Sequence, residues 1–313
     1  MVLTLAALSF AGCGSTTGTS ADMTTETTAA TGGKTTITLG YLPITHALAL
    51  FEEKELLDEA DSDIQIDLQK FGSWTDLMDA LNAGKIDGAS VLIELAMNSA
   101  AQGIDLKAVA LGHRDGNVIV VADDIKDTSD LVGKSFAIPS NQSSHNILLN
   151  DMLSESGISP DEVNIVQMSP SEMPSSLASG SISGYCVAEP FGAQAIVQNI
   201  GHVLYDSTEL WENSICCAFV LNNRFITKNP DATDELIAQY YAAGKALTSE
   251  KATEIATKYL GQDETILTES LQWIQYDDLE ITREDYTLLT DKMKTYGISD
   301  APVSYEDFVY IPK

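Results

Sequence analysis

Side chains that can coordinate a metal ion or hold a polar solute recur in this chain next to predicted strand ends. Three of the four histidines, His46, His113 and His145, each follow a predicted β-strand. The other side chains of this kind are Cys186, Glu189, Cys216 and Cys217. Imidazole, thiolate and carboxylate are the ligand types of zinc and related metals. No CxxC or HxxxH pair accompanies them, so cysteines buried as small apolar side chains are the alternative.

Alternating strand and helix patterns position these side chains. Predicted strands cover residues 36–42, 64–71, 86–91, 106–111, 118–122, 134–139, 163–168 and 184–187. Predicted helices separate most of them, and this order predicts α/β architecture, with mostly parallel sheets flanked by helices. After residue 221 the pattern is helical, and we expect this tail to pack on the first half of the fold.

A short internal repeat indicates two similar lobes. Leu81, Gly84, Ile86 and Gly88 recur with the same spacing as Leu177, Gly180, Ile182 and Gly184. In each copy a leucine packs the last helical turn, a glycine ends the helix, and a strand begins. We therefore predict lobe 1 from residues 34–121 plus 221–313 and lobe 2 from residues 122–220. Two hinge strands join them.

The N-terminus is similar to a lipoprotein signal. Residues 2–10 are apolar, small residues follow, and Cys13 is the expected lipidation site, so residues 1–13 are assigned as signal. No Lys or Arg precedes Lys34, which indicates that the true start lies upstream of Met1. Residues 14–33, rich in Gly, Ser and Thr, predict a flexible tether.

Composition limits the classes of function. The 313 residues carry a formal charge of −29, which disfavours nucleic acid, because phosphate contacts need clustered Lys and Arg. Hydrophobic residues make up 44% of the chain, enough for packed cores. No run of 18 uninterrupted apolar residues predicts a membrane-spanning helix.

Ligands of open α/β sheets bind beyond the carboxyl ends of the strands. We therefore expect the binding site at these strand ends. The residues at those ends that we expect to bind ligand are Thr45, His46, Trp74, Ser90, His113, Ser143, Ser144, His145, Asn146 and Glu189. A metal ion in the same cleft would be held by His46, His113, His145 and Glu189. A simple N-cap role is the alternative for Glu189, and a surface or core histidine is the alternative for each imidazole.

Several motifs resemble the binding proteins of nitrate, bicarbonate, sulfonate and thiamine-precursor importers. The resemblance covers residues 36–240, and its longest motif runs from Gly184 to Phe191. The shorter motifs are residues 40–45, 73–74, 144–145, 172–173 and 209–211. It implies a type II periplasmic-binding-protein fold, and a binding component of an ABC importer without enzymatic activity.

The resemblance also implies site residues. In the nitrate and bicarbonate branch the matching tryptophan and histidine contact the anion, which here are Trp74 and His145. That branch places a lysine two residues before the phenylalanine that matches Phe219, where this chain has Cys217. Cys217 thus joins the expected ligand-binding set, and nitrate becomes a doubtful ligand.

The expected protein is a monomer held by a lipid on the outer face of the cell membrane or in the periplasm. Its expected partners are a small polar solute, such as an oxyanion or sulfonate, and the permease and ATPase of an importer. No cofactor is expected to be required. Two alternatives stay open, an enzyme like the thiamine-pyrimidine synthases and a ligand-sensing receptor subunit.

Overall fold

Two five-stranded β-sheets flanked by helices organise residues 33–312, the part of the chain that this computed structural model describes. The strands are β1 (Thr35–Tyr41), β2 (Ile64–Lys70), β3 (Gly88–Leu92), β4 (Leu106–Leu111), β5 (Arg114–Asp115), β6 (Asn117–Val121), β7 (Ser135–Ile138), β8 (Asn164–Gln167), β9 (Gly184–Ala188), β10 (His202–Asp206), β11 (Cys217–Asn222) and β12 (Ile274–Gln275). The predicted signal, Cys13 and all of the tether except Gly33 lie outside the described residues.

Thirteen helices are described within residues 33–312. They are α1 (Leu48–Glu59), α2 (Trp74–Asn82), α3 (Ile93–Ala101), α4 (Ser144–Glu155), α5 (Met173–Ala178), α6 (Phe191–Val197), α7 (Ser207–Leu210), α8 (Asn223–Lys228), α9 (Pro230–Ala246), α10 (Ser249–Leu260), α11 (Glu264–Ser270), α12 (Arg283–Thr295) and α13 (Tyr305–Phe308). None of these helices is both long enough and apolar enough to cross a bilayer.

The two large sheets share one topology. The first has the strand order β2-β1-β3-β11-β4, and the second, read in the same direction, has the order β8-β7-β9-β6-β10. In each sheet the first three strands are parallel and the fourth is antiparallel to both of its neighbours. The predicted α/β class with two similar sheets and flanking helices is therefore confirmed.

The chain passes from one sheet to the other just before each of the antiparallel strands β6 and β11. The predicted lobes placed residues 117–121 in lobe 1 and residues 217–220 in lobe 2. However, β6 pairs with β9 and β10 of the second sheet, and β11 pairs with β3 and β4 of the first. Periodicity identified β6 but not β11, and it carries no information about the partners of a strand. The crossings lie a few residues earlier than expected, at 112–116 and 211–216.

The repeated glycines have the same role in both sheets. Gly84 and Gly180 adopt left-handed backbone angles, with φ of +64° and +72°, where each helix ends. Gly88 opens β3 and faces Leu221 of β11, while Gly184 opens β9 and faces Val121 of β6. A Cβ on Gly88 would lie 2.6 Å from the Val220 carbonyl oxygen. The repeat thus brings the antiparallel strand close to the central strand.

The helical tail contacts both sheets' helices rather than the first lobe alone. Helices α9 and α10 pack on α1, as expected, but α11 packs against α6. Helix α12 reaches α4, where Lys292 Nζ lies 2.7 Å from the Asp151 carboxylate and the Tyr296 hydroxyl donates to the same group. Lys292 also lies 5.2 Å from the ring centroid of Trp211. The tail therefore connects the two halves.

This connection predicts a stability cost for Lys292→Met. The substitution removes an ion pair whose carboxylate is buried, and a hydrogen bond to a charged group contributes about 1.5–3 kcal/mol. We expect the substitution to lower the free energy of unfolding, measured by urea titration, by about 1.5–3 kcal/mol. Lys294→Met is the matched control, because Lys294 is exposed and lies 3.8 Å from Asp291. Equal effects of both substitutions would contradict the buried connection.

A second stability prediction concerns Glu53 on α1. Its side chain is buried, both carboxylate oxygens lack a hydrogen-bond partner among residues 33–312, and burial raises the pKa of the carboxyl well above its usual value. The unfolded chain releases this proton near its ordinary pKa while the folded chain retains it. The contribution of Glu53 to stability is therefore fully present below the ordinary carboxyl pKa of the unfolded chain. It declines as pH rises towards the raised pKa of the folded state, by up to about 1.4 kcal/mol per pH unit.

Glu53→Gln should remove this contribution to the pH dependence. Urea unfolding of wild type and variant at several pH values from mildly acidic to alkaline should show the variant gaining relative stability as pH rises. Glu59→Gln, at the exposed end of the same helix, is the control and should follow the wild type. A constant difference between Glu53→Gln and wild type at every pH would refute the assignment.

Candidate functional site

A cleft of about 610 Å³ lies between the helices of the first sheet and the strand ends of the second. One wall comprises Trp74 at the start of α2 and Asn98 on α3, and the other contains Ser140 and Met168, which follow β7 and β8. Asn98 Nδ2 donates to Gln142 Oε1 at 3.2 Å across the two walls. The cleft therefore occupies the edge where the parallel strands of both sheets end.

A buried cluster of four side chains lies where strands of the first sheet meet. The thiol–imidazole cluster consists of His46, His113, Cys216 and Cys217, whose candidate ligand atoms all lie within 4.8 Å of one another. His46 follows β1, His113 follows β4, and the two cysteines lie at the start of β11. All four side chains are fully buried. Strand order thus brings together residues that are up to 171 positions apart in the sequence.

Hydrogen bonds orient the two imidazoles of the cluster. His46 Nε2 donates to the Gly116 carbonyl at 3.0 Å, which leaves Nδ1 as the acceptor facing Cys217 Sγ at 3.5 Å. The two rings lie against each other at a tilt of 35°, with centroids 3.6 Å apart. His113 Nε2 accepts from the Cys217 amide at 3.4 Å, and its Nδ1 has no partner among residues 33–312. The His46 Nδ1 lone pair thus faces Cys217 Sγ, whereas the His113 lone pair accepts from the Cys217 amide and the neutral His113 ring carries its hydrogen on Nδ1.

Further buried polar atoms in the first turns of α2, α3 and α4 lack hydrogen-bond partners within the described part of the chain, and of these residues Trp74 lines the cleft. They are Trp74 Nε1, both carboxylate oxygens of Glu94, Ser144 Oγ and both ring nitrogens of His145. Trp74 and Glu94 belong to the first sheet's helices, whereas Ser144 and His145 begin α4 of the second. An unpaired buried polar group costs about 1–3 kcal/mol, so this concentration indicates a site built for a ligand.

The protonation of these groups follows from their burial. Burial, with a smaller effect of His46, lowers the pKa of His113 to about 4, and burial likewise lowers the pKa of His145 to about 4. Burial raises the pKa of Glu94 well above its usual value. Burial also raises the pKa of Cys217, whereas at Cys216 hydrogen bonding from Cys217 and nearby imidazoles outweighs burial and lowers the pKa. At neutral pH both imidazoles are thus free bases.

Thr45 and Glu189 link the two halves through the backbone. The Thr45 amide donates to the Glu189 carbonyl oxygen at 2.8 Å, and the Thr45 hydroxyl donates to the same oxygen at 3.1 Å. The Glu189 carboxylate accepts from the Ala193 amide at 3.1 Å in the first turn of α6. Glu189 was expected beside three histidines, but its carboxylate is engaged by the backbone, which matches the capping alternative. Its place beside His46 and His113 is taken by thiols.

The other expected residues lie around the same edge in different roles. Ser90 is buried in β3, opposite Phe219 of β11. Ser143 caps α4 by accepting from the Asn146 amide, and its hydroxyl donates to the Ser140 carbonyl at 2.6 Å. Asn146 Nδ2 donates to the Asn141 carbonyl. The Ser143 and Asn146 side chains therefore have structural partners, in contrast to those of Trp74 and His145.

Positive charge is scarce at this edge. The residues that line the cleft include the acids Asp79 and Glu172 but neither lysine nor arginine. Arg114, adjacent to His113 in the sequence, pairs instead with Asp278 and Asp285 at 3.1 and 2.9 Å. An anion in the described site would therefore have to rely on neutral donors.

Two functional candidates were absent from the sequence-based set. Cys216 was considered for the cleft but not selected, although its neighbour Cys217 was. Glu94 was not considered. The sequence signal that could have identified it is a carboxylate two residues after the apolar strand β3, at the strand end where ligands bind. In both cases only strand order reveals the proximity.

Comparison with known proteins extends these observations. The structure is similar to a ligand-binding component of an ABC-type import system from Staphylococcus aureus with zinc bound, with a TM-score of 0.83 and 36% identity, covering 88% of this chain and 97% of the other. Two curated relatives are the nitrate import ATP-binding protein NrtC of Synechocystis sp., 26% identical over 63% of this chain, and the nitrate/nitrite binding protein NrtA of Nostoc sp., 27% identical over 64%.

The chain spans 32% of the length of the NrtC relative and 51% of that of the NrtA relative. The model of the NMT1-like family matches residues 30–261, which is more than half of the 313 residues. The chain therefore belongs to the NMT1-like family.

Proposed function

We propose that the protein is the solute-binding component of an ABC importer, which captures a small solute between its two sheets without transforming it. The observation that carries this proposal is the convergence of unpartnered buried polar atoms from both sheets at one edge, notably Trp74 Nε1 and both nitrogens of His145. A solute that satisfies these groups recovers the desolvation cost they otherwise impose. The chain crosses between the sheets twice, an arrangement suited to hinge closure.

The relatives support the class of function and the partners. The Staphylococcus aureus neighbour is a component of an ABC-type import system, and NrtC and NrtA are named for nitrate import and for nitrate/nitrite binding. A permease and an ATPase are therefore the partners we propose. Binding relatives also favour binding over catalysis for this chain.

The site disfavours nitrate as the solute. The nitrate-type lysine expected two residues before Phe219 is replaced by Cys217, and the described lining of the cleft carries no lysine or arginine. A buried anion without a cation loses the charge that offsets its desolvation. We therefore propose a solute that is neutral or includes a cation, in line with the zinc in the Staphylococcus aureus neighbour.

Anchoring through Cys13 remains a separate proposal. Residues 1–13 resemble a lipoprotein signal, and a tether of Gly, Ser and Thr follows. Lipidation would keep the monomeric binding protein close to its permease on the outer face of the membrane. Cys13→Ser should release the protein from membranes when the gene with its native upstream sequence is expressed in bacteria, as judged by fractionation and immunoblotting.

Solute capture can be tested on protein purified without denaturation. Native mass spectrometry identifies any co-purified solute, and a thermal-shift panel of nitrate, bicarbonate, an alkanesulfonate and zinc chloride covers the candidate classes. A solute at 100 times its Kd should stabilise the fold by about 2.7 kcal/mol. We expect His145→Ala and Trp74→Ala each to abolish that stabilisation, because both side chains offer unpartnered polar atoms at the site.

His202→Ala and Trp273→Ala are the controls of the same residue types, because both residues are half-buried and neither has an unpartnered buried polar atom in the described structure. They should retain the full stabilisation by the same solute. The proposal fails if no solute co-purifies and no panel member stabilises the wild type. Loss of stabilisation in His202→Ala and Trp273→Ala, but not in His145→Ala and Trp74→Ala, would show that the solute binds elsewhere on the protein.

A further inference from the structure

We infer that the thiol–imidazole cluster is a tetrahedral site for one metal ion of the zinc class, taken up as the solute or as part of it. The inference rests on the proposed function, because it names the substrate class of the same site. Its four side chains, His46, His113, Cys216 and Cys217, supply two nitrogens and two sulfurs. This Cys2His2 donor set is a common one for four-coordinate zinc.

Two of the ligand separations in the cluster match those of a zinc tetrahedron. Zinc bonds of 2.3 Å to sulfur and 2.0–2.1 Å to nitrogen place two sulfurs about 3.8 Å apart, and a sulfur and a nitrogen about 3.6 Å apart, in a regular tetrahedron. Cys216 Sγ lies 3.9 Å from Cys217 Sγ, and Cys217 Sγ lies 3.5 Å from His46 Nδ1. Both distances therefore fit a shared ion with little movement of the side chains.

The surroundings orient the ligands as in a metal site. The Gly116 carbonyl accepts from His46 Nε2, a contact of the kind that fixes the tautomer of metal-binding histidines. This leaves the Nδ1 lone pair on the side of Cys217. The backbone of the adjacent cysteines is held by pairing of β11 to β3, and the Cys216 carbonyl accepts from the Ile93 amide at 2.9 Å. The cluster is therefore preorganised rather than assembled from mobile loops.

Charge balance favours a divalent ion over an anion. Two thiolates neutralise one dication, so the complex with neutral imidazoles carries no net charge and suits a fully buried position. The described lining of the neighbouring cleft offers no lysine or arginine that could balance an anion. Thiolate and imidazole also prefer zinc and similar ions over magnesium and calcium, which need oxygen ligands.

The alternative, that the cysteines are only small buried apolar residues, accounts for less. It explains Cys186, which is buried in β9 and belongs to no cluster of metal-binding side chains described for residues 33–312. It gives no reason for two imidazoles to lie against each other beside two thiols. One bound ion would engage both thiols and the His46 Nδ1 lone pair directly, and His113 once its lone pair is released from the Cys217 amide.

The test uses the purified protein, stripped of metal under reducing conditions and titrated with zinc chloride against a chromogenic chelator. We expect one high-affinity zinc ion per chain. Cys216→Ser and Cys217→Ser should each weaken binding by more than the roughly 10- to 100-fold typical for groups that only orient a ligand. Cys186→Ser is the matched control and should leave stoichiometry and affinity unchanged. Magnesium and calcium should not compete.

Cobalt(II) provides a readout that does not depend on variants. Cobalt bound to the wild type should show the thiolate-to-metal charge-transfer band and the intense visible bands of tetrahedral coordination, and zinc should displace it. The absence of saturable zinc binding, or a cobalt spectrum without thiolate bands, would overturn the inference. So would equal losses in Cys186→Ser and Cys217→Ser. An organic solute found in the cleft without zinc binding would refute the metal site while leaving solute capture intact.

Discussion

The cost of burying polar atoms without partners is the constraint on which the rest of the site depends. Sheet packing brings the ends of β1, β3, β4 and β11 together and excludes water from them. At that point the chain places imidazole, thiol and carboxylate groups instead of the apolar side chains found elsewhere in the core. Each unpaired group destabilises the fold, and a ligand that pairs with these groups would recover part of that loss.

The two sheets are built alike. Each contains one antiparallel strand that directly follows a crossing of the chain from the other sheet. β6 and β11 pair beside the central strands β9 and β3, where Gly184 and Gly88 permit close approach. Both strands are mostly buried and apolar. The tail adds a connection through Lys292 and Asp151, and Thr45 with Glu189 and Asn98 with Gln142 add hydrogen bonds between the halves. The two halves are thus joined by two chain crossings and by contacts of different chemistry.

Local patterns predicted most of the fold, but pairing between distant strands could not be read from them. The glycine repeat and alternating strands indicated two α/β lobes, because cap geometry and side-chain alternation are local properties. They could not show that β6 joins the second sheet. The same limit applies to the site: strand ends correctly indicated where His46 and His113 would lie, whereas Glu189 was engaged by its own helix start and Glu94 was overlooked. Hydrogen-bond partners decided each case, and partners are set by tertiary structure.

The division of polar groups between the sheets suggests how binding and closure are coupled. The thiol–imidazole cluster belongs to strand ends of the first sheet, whereas His145 and Ser144 come from α4 of the second. If the sheets separate, water can satisfy His145 and Ser144, and their burial cost disappears from the open form. Closure without solute restores that cost, whereas closure over a solute replaces water by new contacts. A ligand shifts the equilibrium only by its differential affinity for the two forms, and groups on both sides of the cleft supply that difference.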